Sequence, residues 1–139
     1  IFPRLRPVHF NIDYTYTDTE SEYSGRPGVK LPLQMRPEHQ AQFNIRYASD
    51  TIFAQLQCSY RVEQLGGVDV EEWRDRYDFD QYTVSFTGSY QAAKRIRAFV
   101  NVHNLFNLSE NRSYLGNESR PVAYNWNPRR FNVGIRMEL

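Results

Sequence analysis

The chain lacks several features that define common protein classes. Neither sign of charge is in excess, since 17 Lys and Arg residues stand against 16 Asp and Glu residues. A nucleic-acid-binding domain would be expected to carry a basic patch and a high isoelectric point. The uncharged stretches are far too short for a transmembrane helix. Cys58 is the single cysteine, so the chain forms no internal disulfide.

The sequence also lacks the residue combinations that catalysis requires. We find no Ser-His-Asp or Cys-His arrangement, no glycine-rich phosphate loop and no Cys/His spacing for a metal. We therefore expect no enzyme activity, no cofactor and no metal ligand. The carboxylates of residues 69–80 could bind Ca²⁺, and His9 with Asp13 could form a metal or acid–base pair. Solvated loop and polar-face residues are the favoured interpretation of both groups.

Six segments instead alternate apolar and polar residues strictly, over residues 8–17, 39–47, 52–60, 82–90, 95–104 and 130–139. A period of two predicts β-strands with one apolar and one polar face. The apolar face carries no charge, whereas the other face is Asn, Gln, Ser and Thr with few charges and two phenylalanines, Phe53 and Phe99. This pattern favours a barrel wall with lipid outside and water inside.

The connections between these segments alternate in length. Residues 48–51 and 91–94 make short turns, and residues 18–38, 61–81 and 105–129 make long loops. Outer-membrane barrels have short periplasmic turns and long extracellular loops. The assignment predicts two tyrosine rims, an outer one at Tyr16, Tyr60 and Tyr82 and an inner one at Tyr47 and Tyr90.

Four stretches carry a resemblance to a known family. Residues 98–107 (AFVNVHNLFN), 114–121 (YLGNESRP) and 128–139 (PRRFNVGIRMEL) resemble segments near the end of TonB-dependent outer-membrane receptors. Leu31-Pro32 followed by residues 36–40 (RPEHQ) is similar to a segment before a later strand of that family's barrel. One departure is Leu139, where outer-membrane proteins usually end in an aromatic residue.

The resemblance implies a fold and a location. Members have a 22-strand transmembrane barrel with an N-terminal plug, so residues 1–139 would be the C-terminal portion of the barrel domain, without plug or signal peptide. The expected fold is all-β, an antiparallel up-and-down meander of about six strands within that barrel. The expected place is the outer membrane of a Gram-negative bacterium. The partners implied are lipid, the rest of the barrel, the plug and the TonB complex, and no nucleic acid.

Energised uptake of a scarce ligand is the function that the resemblance implies. The ligand, whether a small molecule, a glycan or a peptide, stays open. Aromatic and arginine residues of the loops are the candidate binding residues, because rings stack and guanidinium groups hold anions; they are Tyr23, Trp73, Arg74, Tyr77, Arg112, Tyr114, Tyr124 and Trp126. The residues expected to face the lumen are Asn44, Arg46, Arg97, Asn101, His103 and Arg136.

Two alternatives remain on the sequence alone. A soluble lipocalin-like barrel or sandwich would turn the apolar face inward and bind a ligand there. An outer-membrane barrel enzyme would use His and Asp side chains of the lumen or rim, and it would need a catalytic constellation that the sequence does not show.

Overall fold

The protein is described here by a computed structural model that covers residues 8–108 and 111–138. Over these ranges, twelve strands and one short 3₁₀ helix (Glu72–Arg74) follow one another. The strands are β1 (Val8–Tyr16), β2 (Ser21–Tyr23), β3 (Arg26–Leu31), β4 (His39–Ala48), β5 (Ile52–Arg61), β6 (Gln64–Gly67), β7 (Arg76–Asp78), β8 (Gln81–Ala93), β9 (Ile96–His103), β10 (Asn111–Leu115), β11 (Pro121–Asn125) and β12 (Arg130–Met137). The predicted all-β class is confirmed.

Six long strands form one antiparallel sheet. Their order is β1-β4-β5-β8-β9-β12, so each long strand pairs with the next long strand along the chain. The strand bounds agree with the six predicted segments to within three residues at either end. Within the described residues no sheet closes into a barrel, and membership of a larger barrel stays a prediction.

The register of this sheet keeps the two kinds of side chain apart. Directly opposed residues lie on the same face, and one apolar row crosses all six strands as Phe10, Ile45, Leu56, Phe86, Val102 and Phe131. A neighbouring row on the other face is His9, Arg46, Gln55, Thr87, Asn101 and Asn132. A slip of one residue in any pair would move apolar side chains onto the polar face, and the alternation therefore fixes the register.

The apolar face of this sheet is open. On its two edge strands, the side chains of Phe10, Ile12, Val133 and Ile135 are 68–73% exposed. Among the described residues, Val102 is the only buried hydrophobic side chain of the six long strands. A sheet that formed the core of a soluble domain would enclose these rows.

Tyrosines lie near both ends of this face, as predicted. Tyr60 and Tyr82 are paired at the end that carries the long connections, with ring centroids 4.7 Å apart. Tyr90 is paired with Ile52 near the short turns. Tyr60 and Ile52 are eight residues apart on β5, which at about 3.3 Å per residue is roughly 26 Å.

The connections alternate in length as predicted, but the long ones are not simple loops. Six short strands lie in them. β2 and β3 form a hairpin, and β11, β10, β7 and β6 form a separate four-stranded sheet in that order. The sequence pattern does not predict these strands, because three to six residues are too few to show a clear period.

A phenylalanine on the polar face packs over a glycine of the neighbouring strand. Phe99 of β9 is paired with Gly134 of β12, and a Cβ added to Gly134 would lie 2.5 Å from Phe99 Cζ. The ring thus occupies the space that a side chain at position 134 would take. An aromatic ring over a strand glycine compensates for the packing that glycine lacks.

We predict that Gly134→Val destabilises the sheet in a way that depends on Phe99. The branched side chain displaces the ring, which should cost about 1–2 kcal/mol of unfolding free energy. In a Phe99→Ala background the same valine should be neutral or stabilising, because valine favours strands. Urea unfolding of the four variants in detergent micelles measures this double-mutant cycle. Equal costs in both backgrounds would contradict the packing described.

Candidate functional site

The three long connections fold together at one end of the six-stranded sheet. We call them the cap (residues 17–38, 62–80 and 104–129), of which residues 109 and 110 lie outside the described ranges. Most of the buried side chains in the described part of the chain belong to the cap, namely Gln64, Leu65, Asp75, Asn104, Ser113 and Tyr114. The protein therefore has its compact interior in the cap and not in the sheet.

An ion pair joins the first connection to the second. Arg26 Nη1 of β3 donates to Asp75 Oδ2 over 2.8 Å, and the two side chains are only 10% and 1% exposed. The other carboxylate oxygen of Asp75 accepts the Asp69 N–H at 2.9 Å. Arg26 Nε is buried and has no hydrogen-bond partner among the described residues. A buried carboxylate needs such partners, since an unpaired charge is costly to bury.

The third connection meets the same point through its backbone. The Gly116 N–H donates to the Asp75 carbonyl oxygen at 2.9 Å. Gly116 has a φ of +67°, and a Cβ there would lie 2.7 Å from the Trp73 carbonyl oxygen. Only glycine accommodates both the positive φ and this close approach. Asp75 thus contacts residues of all three connections.

Aromatic rings fill the interior of the cap. Tyr77 and Tyr114 stack with ring centroids 5.4 Å apart, and Phe79 lies 4.8 Å from Tyr114. The Arg112 guanidinium carbon lies 4.8 Å from the Phe79 ring centroid, a cation–π distance. Burial, followed by a hydrogen bond to Glu63, raises the pKa of the Tyr114 hydroxyl above its usual range. Burial also raises the pKa of Tyr77, and the nearby Asp75 carboxylate adds to that rise.

The structure divides the eight predicted ligand-binding residues into two groups. Tyr77 and Tyr114 lie in the cap interior with Arg112 packed beside them, and the Tyr23 hydroxyl donates to the Pro32 carbonyl oxygen at 2.9 Å. The other four are exposed, at 55% for Trp73, 66% for Tyr124 and 60% for Trp126, with the Arg74 side chain at 52%. The exposed four are the ones that a ligand can reach without rearrangement of the cap.

The predicted lumen-facing residues share the polar face of the sheet. Arg46 and Asn101 belong to one row, and Arg97 and Arg136 are directly paired. Arg97 Nε donates to Gln91 Oε1 at 2.8 Å, and His103 Nδ1 lies 3.2 Å from Ser85 Oγ. Asn44 Oδ1, also on this face, is buried, and no hydrogen-bond partner for it lies in the described part of the chain. That this face lines a lumen stays a prediction.

The sequence pattern predicts neither the contacts that meet at Asp75 nor a separate polar cleft of the cap. The cleft holds about 250 Å³ and is lined by Thr17, Asp18, Thr19, Arg36, Glu38 and Glu63 among others. Arg26 and Asp75 are 49 residues apart, so no local spacing links them. The one available signal was Gly116, a glycine between strands that suggests a positive φ or close approach.

The described residues contain no cluster of three or more His, Cys, Asp or Glu side chains arranged to hold a metal ion. No helix within them has the length and hydrophobicity needed to cross a membrane. No protein family matches this chain, and no curated protein or solved structure matches it either.

We predict that Arg26→Ala opens the cap. The change leaves the buried Asp75 carboxylate, within the described residues, with one hydrogen bond, from the Asp69 N–H. Loss of the charge partner should cost about 3–5 kcal/mol. Hydrogen exchange of amides in β6, β7 and β10 measures the loss of protection. Lys30→Ala is the matched control, because its pair with Glu20 is 66% and 64% exposed and such pairs contribute little. Equal effects of the two variants would contradict the role of the buried pair.

We also predict that alkaline pH loosens the cap through Tyr114. The folded pKa is raised above the ordinary value of 10.0, so the native cap binds this proton more tightly than the unfolded chain does. That contribution is complete below the unfolded pKa and is lost as pH rises towards the folded one. Tyr114→Phe should shift the alkaline loss of trypsin resistance to higher pH, whereas Tyr124→Phe, at an exposed site, should not. Identical pH midpoints for wild type and Tyr114→Phe would contradict this.

Proposed function

We propose that this chain is part of the barrel wall of a TonB-dependent outer-membrane receptor. The six-stranded sheet lies in the outer membrane, with its apolar face towards lipid and its polar face towards the barrel interior. The cap lies outside, where it contributes to ligand capture. The role is transport of a scarce ligand, not catalysis.

The apolar face of the sheet is the observation that carries this proposal. Along β5 the face spans roughly 26 Å between the ends that carry Tyr60 and Tyr90. At a strand tilt of about 40° this length corresponds to a height of roughly 20 Å, somewhat less than the apolar band of about 25 Å in outer-membrane barrels. Its outermost strands expose Ile12 at 73% and Val133 at 73%, with no described element covering them. In water, such a surface would drive association, whereas in lipid it is matched to its surroundings.

The polar face supports the same orientation. Its rows are built from amides and hydroxyls such as Gln55, Thr87 and Asn101, with arginines at intervals. The two faces thus differ in the way that lipid-facing and lumen-facing positions of membrane barrels differ. Tyrosines near each end of the apolar face suit the boundaries between hydrocarbon and water.

The open edges of the sheet define what else the proposal requires. β1 and β12 each pair with one neighbour among the described strands. In a bilayer every backbone N–H and C=O must be paired within the protein, since an unpaired group costs several kcal/mol. Further strands of the same barrel must therefore continue both edges. In the family that the sequence resembles, these strands belong to a 22-strand barrel that also contains a plug. Energy for transport is delivered through TonB.

A soluble lipocalin-like or sandwich module is the second candidate from the sequence. That fold needs the apolar rows enclosed, either by closure of the sheet or by a second sheet. Within the described residues the six-stranded sheet stays open, and the cap strands form their own sheet and not a cover for its apolar face. The exposure of Phe10, Ile12 and Ile135 favours the membrane assignment over this one.

Site-directed spin labelling of the protein in phosphatidylcholine vesicles tests the proposal. Cysteines are placed one at a time in a Cys58→Ala background at Val100 and Val133, which are paired on the apolar face, and at Asn101 and Asn132, paired on the polar face. Nitroxides at 100 and 133 should collide with oxygen, which concentrates in lipid. Those at 101 and 132 should collide with a water-soluble nickel chelate.

A label at Glu118, an exposed cap position, serves as the water-accessible control. Nickel accessibility at all five positions, or lipid contact at 101 and 132 in place of 100 and 133, would end the membrane-wall proposal. Because all four sheet positions belong to β9 and β12, the comparison does not depend on how the cap is folded.

A further inference from the structure

An exposed strip of aromatic and basic side chains follows the edge of the cap sheet along β11. Its members are Trp73, Arg120, Val122, Tyr124 and Trp126, and we call them the β11 strip. Val122, Tyr124 and Trp126 are 51%, 66% and 60% exposed, and Trp73 is 55% exposed. β11 is the outermost strand of its sheet, so the strip lies on a free border of the cap.

Backbone contacts hold the strip in place. Gly116 approaches the Trp73 backbone so closely that a Cβ there would lie 2.7 Å from its carbonyl oxygen. The Leu115 N–H donates to the Arg120 carbonyl oxygen at 3.0 Å, and the Arg120 N–H donates to Asn117 at 3.1 Å. The exposed Trp73 side chain of the 3₁₀ helix and the exposed Arg120 side chain of the β10–β11 turn are thus held next to each other by backbone contacts.

Trp73 and Arg120 form the centre of the strip. The Arg120 guanidinium carbon lies 5.7 Å from the Trp73 ring centroid. Between them and the β10–β11 turn is an open cleft of about 400 Å³, lined by Glu72, Trp73, Gly116, Asn117 and Arg120. Arg120 forms no ion pair with the carboxylates of the described chain, although Glu72 lines the same cleft. Its guanidinium is available to an anion.

We propose that the β11 strip binds an acidic saccharide chain, with the Trp73 ring against a sugar ring and the Arg120 guanidinium on a carboxylate. This inference rests on the proposed function, since it names the ligand class that the outward-facing cap would capture. It concerns the strip alone and not the buried aromatic residues of the cap.

Three properties of the strip select this class of ligand. Exposed indole and phenol rings have a flat apolar face and a polar group at the edge. The apolar face can pack against the C–H groups of a sugar ring, and the polar edge can hydrogen-bond to its hydroxyl groups. Arginine forms strong paired hydrogen bonds with carboxylates. The strip is also open and extends over the seven residues from Arg120 to Trp126, about 20 Å in extended backbone. A small ligand would instead be expected to occupy an enclosed concave pocket.

Intrinsic fluorescence tests the proposal directly, because the only two tryptophans of the chain, Trp73 and Trp126, both belong to the strip. The full chain in detergent micelles is titrated with an oligogalacturonate of six units. A saturable change in tryptophan emission is expected. Maltohexaose, a neutral chain of equal length, and polyglutamate, an anionic chain without sugar rings, should each produce no saturable change.

Variants separate binding at the strip from binding elsewhere. Arg120→Ala and Trp73→Ala should each weaken oligogalacturonate binding by about tenfold or more, since each removes one of the two principal contacts. Arg95→Ala, at the opposite end of the sheet, should leave the affinity within about twofold, as expected for an exposed residue distant from the strip. Far-ultraviolet circular dichroism verifies that the variants keep their strand content.

Three results would overturn the proposal: no saturable change with oligogalacturonate, equal binding of polyglutamate, or equal affinity of wild type and Arg120→Ala. Vesicles with and without a sialic-acid-bearing glycolipid then show whether a membrane-linked saccharide is also bound. The spin-label result at positions 100, 101, 132 and 133 does not involve the strip. A failure of the saccharide proposal can therefore be told apart from a failure of the membrane-wall proposal.

Discussion

Alternate side chains of a β-strand must meet opposite surroundings, and this constraint governs the six-stranded sheet. Because directly opposed residues share a face, one apolar row can cross all six strands only when every pair keeps its register. The row from Phe10 to Phe131 does so, and so does the polar row from His9 to Asn132. Side-chain patterning and backbone pairing therefore enforce each other over the whole width of the sheet.

The distribution of buried residues follows from the same constraint. A sheet with an uncovered apolar face has no interior of its own, so among the described residues the compact interior is in the cap. There, Tyr77, Phe79 and Tyr114 supply the apolar packing, and the Arg26–Asp75 pair neutralises the buried charge. The cap can be stabilised in water by ordinary burial, whereas the sheet needs a second apolar surface, which lipid provides in the proposed function.

The sequence predicts the sheet well and the cap poorly, for a physical reason. Strands of eight or more residues show the two-residue period clearly, and the six long strands are accordingly predicted to within three residues at each end. β2 and β7 have only three residues each, and tertiary contacts decide their pairing. Asp75 meets Arg26 across 49 residues, and nothing local to either residue indicates the other. For the same reason, sequence alone could not separate exposed Trp73 from buried Tyr114.

The Asp80 carboxylate is one link between the wall and the cap. Asp80 Oδ1 accepts the Glu63 N–H at 2.7 Å, and Asp80 Oδ2 accepts the Tyr60 hydroxyl at 3.2 Å. Tyr60 stacks on Tyr82 at the rim of the apolar face, and Glu63 holds the Tyr114 hydroxyl inside the cap. The chain of contacts from Tyr82 to Tyr114 thus runs from the rim of the sheet to the cap interior. Because Asp80 accepts one hydrogen bond from β5 and one from the cap, it couples the rim of the sheet to the segment that carries Glu63.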